Sequence, residues 1–337
     1  MRVIDVFNHI FPRRWFDRFQ AVAPNQDMCR RSMNVTELWD LDARFRVMDE
    51  FGDYRQVFSL GSPPIETYAP AEVSVELARL ANGEMAELTA RHPDRFAGFL
   101  AALPMNSPDA AARELDRAIR ELGACGTQIY SNADGKPLDD AAFHPLFDLM
   151  HAVDLPIFLH PARDARSSDY LSETRSKYEI WWTFGWPYDT SVAMARLVFS
   201  GVFDRWPGIK IVTHHMGGLV PYLAGRVGHG WDQLGKRTSD EDYGALLRAM
   251  SRRPIDYFRM FHADTALFGS LAATRCGLDF FGVDQVLFAS DTPFEPQPGT
   301  YIRETIQAVL DLGLPHGDLA KICHVNAVRL LRLPGFA

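Results

Sequence analysis

Several apolar segments of this chain end in a histidine or an aspartate. The segments at residues 3–7, 155–159, 209–213 and 285–290 run into His9, His160, the His214–His215 pair and Asp291. Imidazole and carboxylate groups are ordinary ligands of a catalytic divalent metal, and three protein ligands leave room for water or substrate. Side chains at the ends of successive strands meet at one mouth of a barrel, which is where such folds keep their chemistry. The pattern therefore indicates a single metal site.

The first of these segments departs from the simplest metal-site pattern. Residues two apart on a strand point the same way, so a His-x-His pair there would direct two imidazoles at one metal. Phe7 occupies the position two residues before His9, and a phenyl ring cannot coordinate a metal. The sequence leaves open whether the remaining ligands suffice.

Eight apolar segments rich in β-branched residues alternate with amphipathic ones. We predict strands at residues 3–7, 56–60, 96–102, 126–130, 155–160, 209–215, 260–264 and 285–291. Apolar residues recur at helical spacing in residues 108–122, 141–152, 191–203 and 318–333. Such alternation is typical of an α/β fold, either a closed barrel or a doubly wound sheet. We favour a (β/α)8 TIM-type barrel, because only closure brings the polar ends of the first and last strands together.

Two long segments are predicted insertions into one barrel domain that spans residues 1–337. Residues 11–45 follow the first strand and residues 162–190 follow the fifth, and both are rich in tryptophan and phenylalanine. Because each leaves the carboxyl end of a strand, each could cover the active site. The alternative is a surface loop that packs its own aromatic side chains.

Composition excludes several kinds of partner. The formal net charge of −8, with no basic run, argues against nucleic acid and anionic membranes as partners. We expect no membrane-spanning segment, because no long uncharged apolar stretch occurs, and no signal peptide, because an apolar strand begins at Val3. The four cysteines show no CxxC spacing, so we expect reduced thiols and a cytoplasmic protein.

The polar residues at strand ends suggest individual roles. His214 and His215 are adjacent, so on a strand they would face opposite ways. We predict that His215, just before the Met-Gly-Gly turn, points inward and that His214 supports it from behind. Asp291 closes an apolar strand, where a carboxylate is costly without a cation or hydrogen-bond donors. His262 is a reserve metal ligand, since it lies two residues before Asp264 on the seventh strand.

A serine hydrolase is the competing interpretation of a barrel or sheet with reactive loops. No G-x-S-x-G segment occurs, and no serine follows a strand with glycines around it. The sequence therefore argues against that chemistry.

Seven short segments, in order along the chain, resemble one family. They are residues 4–12 (IDVFNHIFP), 98–104 (GFLAALP), 121–130 (ELGACGTQIY), 156–161 (PIFLHP), 215–226 (HMGGLVPYLAGR), 287–294 (LFASDTPF) and 326–330 (NAVRL). Together they look like the amidohydrolase-2 family, the group of α-amino-β-carboxymuconate-ε-semialdehyde decarboxylase. The resemblance implies a distorted (β/α)8 barrel with one divalent metal, with zinc expected first and manganese as the alternative. It also implies non-oxidative decarboxylation of aromatic or unsaturated acids.

The resemblance also implies roles for individual residues. His9, His160 and Asp291 match three metal ligands of the family, whereas Phe7 stands where a fourth is usual. His215 matches its general acid/base. The same resemblance implies a homodimer and a set of residues for substrate binding: Arg44, Arg226, Trp182 and Phe294.

Three hypotheses about function follow. The first is a metal-dependent carbon–carbon lyase that decarboxylates a small aromatic or unsaturated acid, with His215 and Asp291 as catalytic residues. The second is a metal-dependent hydrolase or hydratase of the same fold, in which an activated water attacks the substrate. The third is a catalytically weakened binding relative, in which Phe7 marks loss of the metal. Retention of His160, His215 and Asp291 argues against the third, because a dead site gains nothing from buried ionisable groups.

Overall fold

Parallel strands form the centre of the molecule. The structure is a computed structural model that describes residues 1–23, 31–237, 241–333 and 335. Within these residues, the strands of the barrel are β1 (Val3–Ile10), β2 (Tyr54–Leu60), β3 (Phe96–Phe99), β4 (Thr127–Tyr130), β5 (Ile157–His160), β6 (Ile211–Thr213), β7 (His262–Asp264) and β8 (Val286–Leu287). One arc of the sheet has the order β1-β2-β3 and the other β8-β7-β6-β5-β4.

Backbone contacts join the two arcs at both seams. Between β3 and β4, Ala101 forms an isolated parallel bridge with Thr127. Between β8 and β1, the amide of Asp291 donates to the carbonyl of Phe7 at 3.0 Å, beyond the two regular residues of β8. The sheet is therefore closed, and the predicted distorted (β/α)8 barrel is confirmed. Regular strand pairing is interrupted at both seams, and at the second one the predicted strand 285–291 is regular only at Val286–Leu287.

Helices surround the barrel and cover its outer face. The α-helices are Arg13–Val22, Leu41–Met48, Ala71–Arg91, Pro108–Arg120, His144–Val153, Ile180–Thr183, Gly185–Phe199, Val202–Arg205, Ala224–Trp231, Tyr243–Ala249, Pro254–Phe258, Leu271–Phe281, Thr300–Leu310, His316–Ala320 and Asn326–Leu331. Short 3-10 turns lie at Thr36–Leu38, Asp49–Phe51, Ile65–Thr67, Ala141–Phe143, His215–Gly217 and Val283–Gln285. An antiparallel hairpin of Asn132–Ala133 and Lys136–Pro137 follows β4. Among the described residues, no helix is long and apolar enough to span a membrane.

The observed helices follow the predicted ones with small differences. Pro108 opens Pro108–Arg120, where its missing N–H costs nothing, and Ala111, Leu115 and Ala118 form the buried face. Two predicted helices are divided: 191–203 is interrupted between Gly185–Phe199 and Val202–Arg205, and in 318–333 a π-helical turn at Lys321–Val325 separates two shorter α-helices.

The barrel interior holds its own apolar layer. Phe7 on β1 is fully buried and stacks on Phe158 of β5, with ring centroids 5.8 Å apart. Val57, Val212 and Leu287 from three other strands belong to the same buried cluster. Burial on both faces explains why these strands are apolar throughout. The layer also closes the barrel beneath the polar strand ends.

The two predicted insertions differ in what they contact. In residues 11–45, of which 24–30 lie outside the described residues, Trp15 and Phe19 are buried and stack on each other at 5.0 Å. In residues 162–190, Trp186 reaches the ring of His160, with centroids 5.5 Å apart. The first segment thus packs its own aromatic side chains, and only the second brings one to the strand ends discussed below.

Candidate active site

Asp291 lies at the centre of the polar groups at the barrel mouth. Its Oδ1 lies 3.1 Å from His9 Nε2 and 3.3 Å from His214 Nε2, and its Oδ2 lies 3.4 Å from His215 Nε2. Burial acts to raise the pKa of this carboxyl, but His214, His215 and His9 together hold it well below its ordinary value. Asp291 is therefore ionised and offers its oxygens to a cation.

His9 and His160 present their rings from β1 and β5. His9 Nδ1 lies 3.2 Å from Ser59 Oγ, which leaves Nε2 facing Asp291. His160 Nδ1 lies 2.7 Å from the carbonyl of Pro161, so Nδ1 carries the proton and Nε2 has a free lone pair. Burial lowers the pKa of both imidazoles, that of His160 strongly. Neutral imidazoles are the form that binds metals.

His214 also faces the site, contrary to the prediction that it supports His215 from behind. Its Nδ1 lies 2.6 Å from Asp264 Oδ2, and its Nε2 is buried without hydrogen-bond geometry to any partner in the described structure. Although burial lowers the pKa of this imidazole, Asp264 and Asp291 raise it to about 9. The prediction was wrong because β6 ends at Thr213, so strand alternation does not extend over the pair.

His215 reaches the site through an unusual backbone conformation. Its φ of 53° is left-handed, and its amide donates to Asp264 Oδ1 at 3.0 Å. The ring lies nearly parallel to that of Trp186, with centroids 6.3 Å apart, and Nδ1 is buried without a hydrogen-bond partner in the described structure. Burial and the charge of His214 lower the pKa of His215. His215 points inward, as its position before the turn predicts.

These residues form a donor set that fits a divalent metal. Ligand atoms of His9, His160 and His214 lie within 4.8 Å of one another, and so do those of His214, His215 and Asp291. Imidazole nitrogens with one carboxylate suit zinc, manganese and iron. His214 Nε2 is buried beside Asp291 Oδ1 without hydrogen-bond geometry, and it is the kind of atom that a metal would satisfy. We call these five residues the histidine cluster: His9, His160, His214, His215 and Asp291.

Phe7 and His262 do not contribute ligands. Phe7 lies beneath the histidine cluster, with its ring centroid 3.6 Å from that of His214 and 5.2 Å from that of His9. His262, the reserve ligand, belongs to neither group of clustered ligand atoms found among the described residues. Burial lowers its pKa to about 4, and the positive charges of Arg329 and Lys210 act in the same direction.

Arg44 lies behind His9 in a network of polar side chains. Its Nη1 donates to the carbonyl of His9 at 2.6 Å, its Nη2 to Asn8 Oδ1 at 2.6 Å and its Nε to Gln56 Oε1 at 2.7 Å. Each guanidinium nitrogen is therefore engaged with the protein. The structure does not bring Arg44 to the histidine cluster as a free carboxylate-binding group. We call the following residues the Arg44 network: Asp5, Asn8, Arg44, Tyr54, Gln56 and Ser290.

The other predicted substrate-binding residues lie at different distances from the cluster. The ring of Phe294 is 5.8 Å from that of His9, so this aromatic borders the site. Trp182 is half-buried and packs on Trp186 at the outer side of the site, with ring centroids 6.3 Å apart. Its Nε1 donates to Glu179. Arg226 is exposed on helix Ala224–Trp231 and is not in the cluster.

Sequence reasoning missed two residues of this site. Trp186 packs on both His160 and His215 but was only one of several aromatics in residues 162–190. The carboxylate of Asp264 contacts His214 Nδ1 and accepts a hydrogen bond from the amide of His215. In the sequence analysis, Asp264 was treated only as a partner of His262. Its position at the end of β7 was the signal that could have identified it.

The sequence pattern of the amidohydrolase family matches residues 4–333. The chain belongs to this family, so the predicted membership is confirmed.

Individual relatives share one activity. The chain is 34% identical over 302 residues to γ-resorcylate decarboxylase of Polaromonas sp. strain JS666, covering 87% of each sequence. It is 28% identical over 319 residues to 2-amino-3-carboxymuconate-6-semialdehyde decarboxylase of Dictyostelium discoideum, covering 89% of this chain and 85% of that one. A solved dihydroxybenzoic acid decarboxylase from Polaromonas sp. JS666, with bound manganese and the inhibitor 2-nitroresorcinol, is similar with a TM-score of 0.80 at 29% identity. The match covers 98% of this chain and 97% of that structure.

Proposed function

We propose that this protein is a metal-dependent, non-oxidative decarboxylase of a small aromatic acid that carries a hydroxyl group beside its carboxylate. The observation that carries the proposal is the meeting of a buried, ionised Asp291 with four histidines at the barrel mouth. Relatives named for dihydroxybenzoate and γ-resorcylate supply the substrate class. The same relatives favour decarboxylation over hydrolysis or hydration.

We assign His9, His160 and Asp291 to one divalent metal, zinc or manganese. The lone pair of His160 Nε2 and the oxygens of Asp291 are the donors most clearly presented. A bound metal would hold the substrate's carboxylate and neighbouring oxygen and draw off the negative charge left when the carbon–carbon bond breaks.

The reaction needs a proton at the carbon that loses carbon dioxide. When carbon dioxide leaves, its bonding electron pair stays on the ring carbon, and a proton must be delivered there. His215, whose Nε2 faces Asp291 Oδ2 at 3.4 Å and whose pKa is lowered, would take up the proton of the substrate's hydroxyl group and pass it to that carbon. We assign its delivery to His215. The neighbouring rings of Trp186 and Phe294 would exclude water and strengthen the electrostatic interactions.

The first prediction concerns the substrate. Loaded with zinc or manganese, the protein should release carbon dioxide from 2,6-dihydroxybenzoate and form resorcinol, which chromatography measures directly. The isomer 3,5-dihydroxybenzoate is the matched control, because it has no hydroxyl beside the carboxylate and cannot chelate. Release from neither compound, nor from other ortho-hydroxy acids, would contradict the proposed function. Addition of water to the substrate, without carbon dioxide, would favour the hydratase alternative instead.

The second prediction concerns Arg226 and a homodimer. Arg226 is exposed, and Tyr222 beside it is 82% exposed. Exposed aromatics also occur in residues 162–190, including Tyr178 and Phe184. We propose that this surface pairs two copies and that Arg226 reaches the substrate carboxylate of the other copy. Arg226→Ala should then raise KM about tenfold without loss of metal, as expected for about 1.4 kcal/mol of lost binding. A monomer in sedimentation would remove both assignments, and unchanged kinetics would remove that of Arg226.

The cellular location is also a proposal. The described cysteines Cys125, Cys276 and Cys323 are free thiols, whereas Cys29 lies outside the described residues. Free thiols are typical of a reducing compartment. We therefore place the enzyme in the cytoplasm.

A further inference from the structure

We propose that His214 is a fourth metal ligand, which supplies the donor that Phe7 cannot. The inference rests on the proposed metal-dependent function, since it concerns which residues hold the ion. Three ligands, His9, His160 and Asp291, are expected from the resemblance. The structure adds the imidazole of His214, which lies at the end of β6. In the sequence analysis, this imidazole was placed behind His215, outside the metal site.

The position of His214 Nε2 is the first argument. The ligand atoms of His214, His9 and His160 lie within 4.8 Å of one another, and His214 Nε2 lies 3.3 Å from Asp291 Oδ1. These two sets of distances both include His214, so an ion held by His9, His160 and Asp291 would lie beside His214 Nε2, and zinc–nitrogen bonds are about 2.0–2.1 Å long. The nitrogen is fully buried, and its contact with Asp291 lacks hydrogen-bond geometry. A buried nitrogen in this state requires an explanation, and a metal provides one.

Asp264 is the second argument. Its Oδ2 lies 2.6 Å from His214 Nδ1, while its Oδ1 accepts hydrogen bonds from the amides of His215 and Ala266. The carboxylate is thus fixed by the backbone and in turn fixes the imidazole. A carboxylate on the far nitrogen of a histidine is the usual support of a metal-binding imidazole, because it sets the tautomer and the ring orientation. His214 has this support on the side away from the cluster.

Phe7 is the third argument. Its ring is fully buried and packs against the imidazole of His214, with centroids 3.6 Å apart. The phenyl ring occupies the side of the cluster from which a ligand at position 7 would approach. It also fills the space into which the His214 ring could otherwise turn. The phenyl ring at position 7 of β1 and the imidazole of His214 just after β6 are therefore parts of one packing arrangement.

The test measures metal binding and needs no substrate. The wild type and His214→Ala would be titrated with Co²⁺, and exchangeable imidazole N–H signals shifted by the paramagnetic ion would be counted by proton NMR. We expect three such signals in the wild type, from His9, His160 and His214, and two in the variant. The Kd for Co²⁺ should rise on the order of 100-fold or more in His214→Ala, and about 10–100-fold in Asp264→Asn, which loses only the supporting carboxylate. His262→Ala is the matched control, a buried histidine outside the cluster, and its Kd should equal that of the wild type.

A rescue variant separates ligation from packing. Phe7→Glu placed in the His214→Ala protein returns a donor from β1, and it should restore most of the lost affinity. Failure to restore it in a folded double variant would overturn the claim that His214 fills the role of position 7. An unchanged Kd and unchanged N–H signals in His214→Ala would also overturn the inference while leaving the metal enzyme intact. A wild type that binds no Co²⁺, Zn²⁺ or Mn²⁺ would overturn the proposed function as well.

Discussion

The two buried polar groups that share β1 differ in how completely their atoms are paired. In the Arg44 network, Asp5 Oδ2 accepts from the hydroxyls of Tyr54 and Ser290, both at 2.5 Å, and Asp5 Oδ1 accepts from the amides of Phe7 and Ser290. Each oxygen of that carboxylate is satisfied. Saturation of this kind fixes backbone positions and leaves no capacity for a ligand.

The histidine cluster lacks this saturation. His214 Nε2 and His215 Nδ1 are buried without hydrogen-bond partners in the described structure. Several imidazoles converge on the single carboxylate of Asp291, which cannot serve all of them with good geometry. Unpaired buried nitrogens are costly unless something binds them. The difference teaches that pairing, rather than burial or charge, distinguishes the part of β1 that supports the fold from the part that does chemistry.

The largest expected effect comes from making the same change in both groups. Asp291→Asn removes the charge that binds the metal and faces His215, so kcat/KM should fall about 10²–10⁴-fold and bound metal should be lost. Asp5→Asn should instead lower the free energy of unfolding and keep the metal, because the Asp5 carboxylate accepts from the Arg44 network and from the amide of Phe7, and has no contact with the ligand atoms of the histidine cluster among the described hydrogen bonds. Metal analysis, decarboxylation kinetics and urea denaturation of both variants check this. Equal loss of metal in the two would contradict the distinction drawn between the groups.

A smaller effect is expected from Arg44→Met. The change leaves the carbonyl of His9, Asn8 Oδ1 and Gln56 Oε1 without a donor. Each unsatisfied buried acceptor costs roughly 1–3 kcal/mol, so the free energy of unfolding should fall by about 3 kcal/mol or more. Arg46→Met is the control, because Arg46 is exposed on the same helix, Leu41–Met48. Urea denaturation measures both.

Kinetics of the same variant decide between two roles of Arg44. If Arg44 held the substrate carboxylate, as the family resemblance implies, Arg44→Met would raise KM and leave stability nearly unchanged. The opposite result is expected from the hydrogen bonds that Arg44 makes with His9, Asn8 and Gln56. A stable variant with a raised KM would support the assignment of Arg44 to substrate binding.

The sequence predicted the barrel and the general location of the site because both follow from periodicity. Apolar strands buried on two faces are visible as short β-branched runs, and polar residues at their carboxyl ends identify the mouth of the barrel. His9, His160, His215 and Asp291 were found in this way. Their roles on the metal and the substrate stay predictions until the variants above are measured.

The sequence could not show where individual side chains turn. His214 reaches the site because β6 ends one residue earlier and His215 adopts a left-handed φ, which no pattern of apolar residues encodes. Arg44 appeared equally suited to bind a substrate or a backbone carbonyl, since an arginine offers the same donors to either. Only the packing of Leu41–Met48 against β1 and β2 decides between them.

The smallest expected effect concerns Glu66, a buried carboxyl outside both groups. Its Oε1 has no hydrogen-bond partner in the described structure, and burial raises its pKa from 4.5 to about 8. Between these values the folded state keeps a proton that the unfolded state releases, so this group makes stability fall as pH rises from 4.5 to about 8. In Glu66→Gln the side chain at this position is neutral at every pH. The free energy of unfolding of the variant should therefore rise relative to that of the wild type by up to about 1.4 kcal/mol per pH unit in that range. Urea denaturation at about pH 5.5 and about pH 7.5 tests the sign. If the difference in free energy of unfolding between variant and wild type does not increase with pH, Glu66 is already ionised in the folded protein. Its unpaired oxygen would then resemble the histidine cluster in requiring a partner.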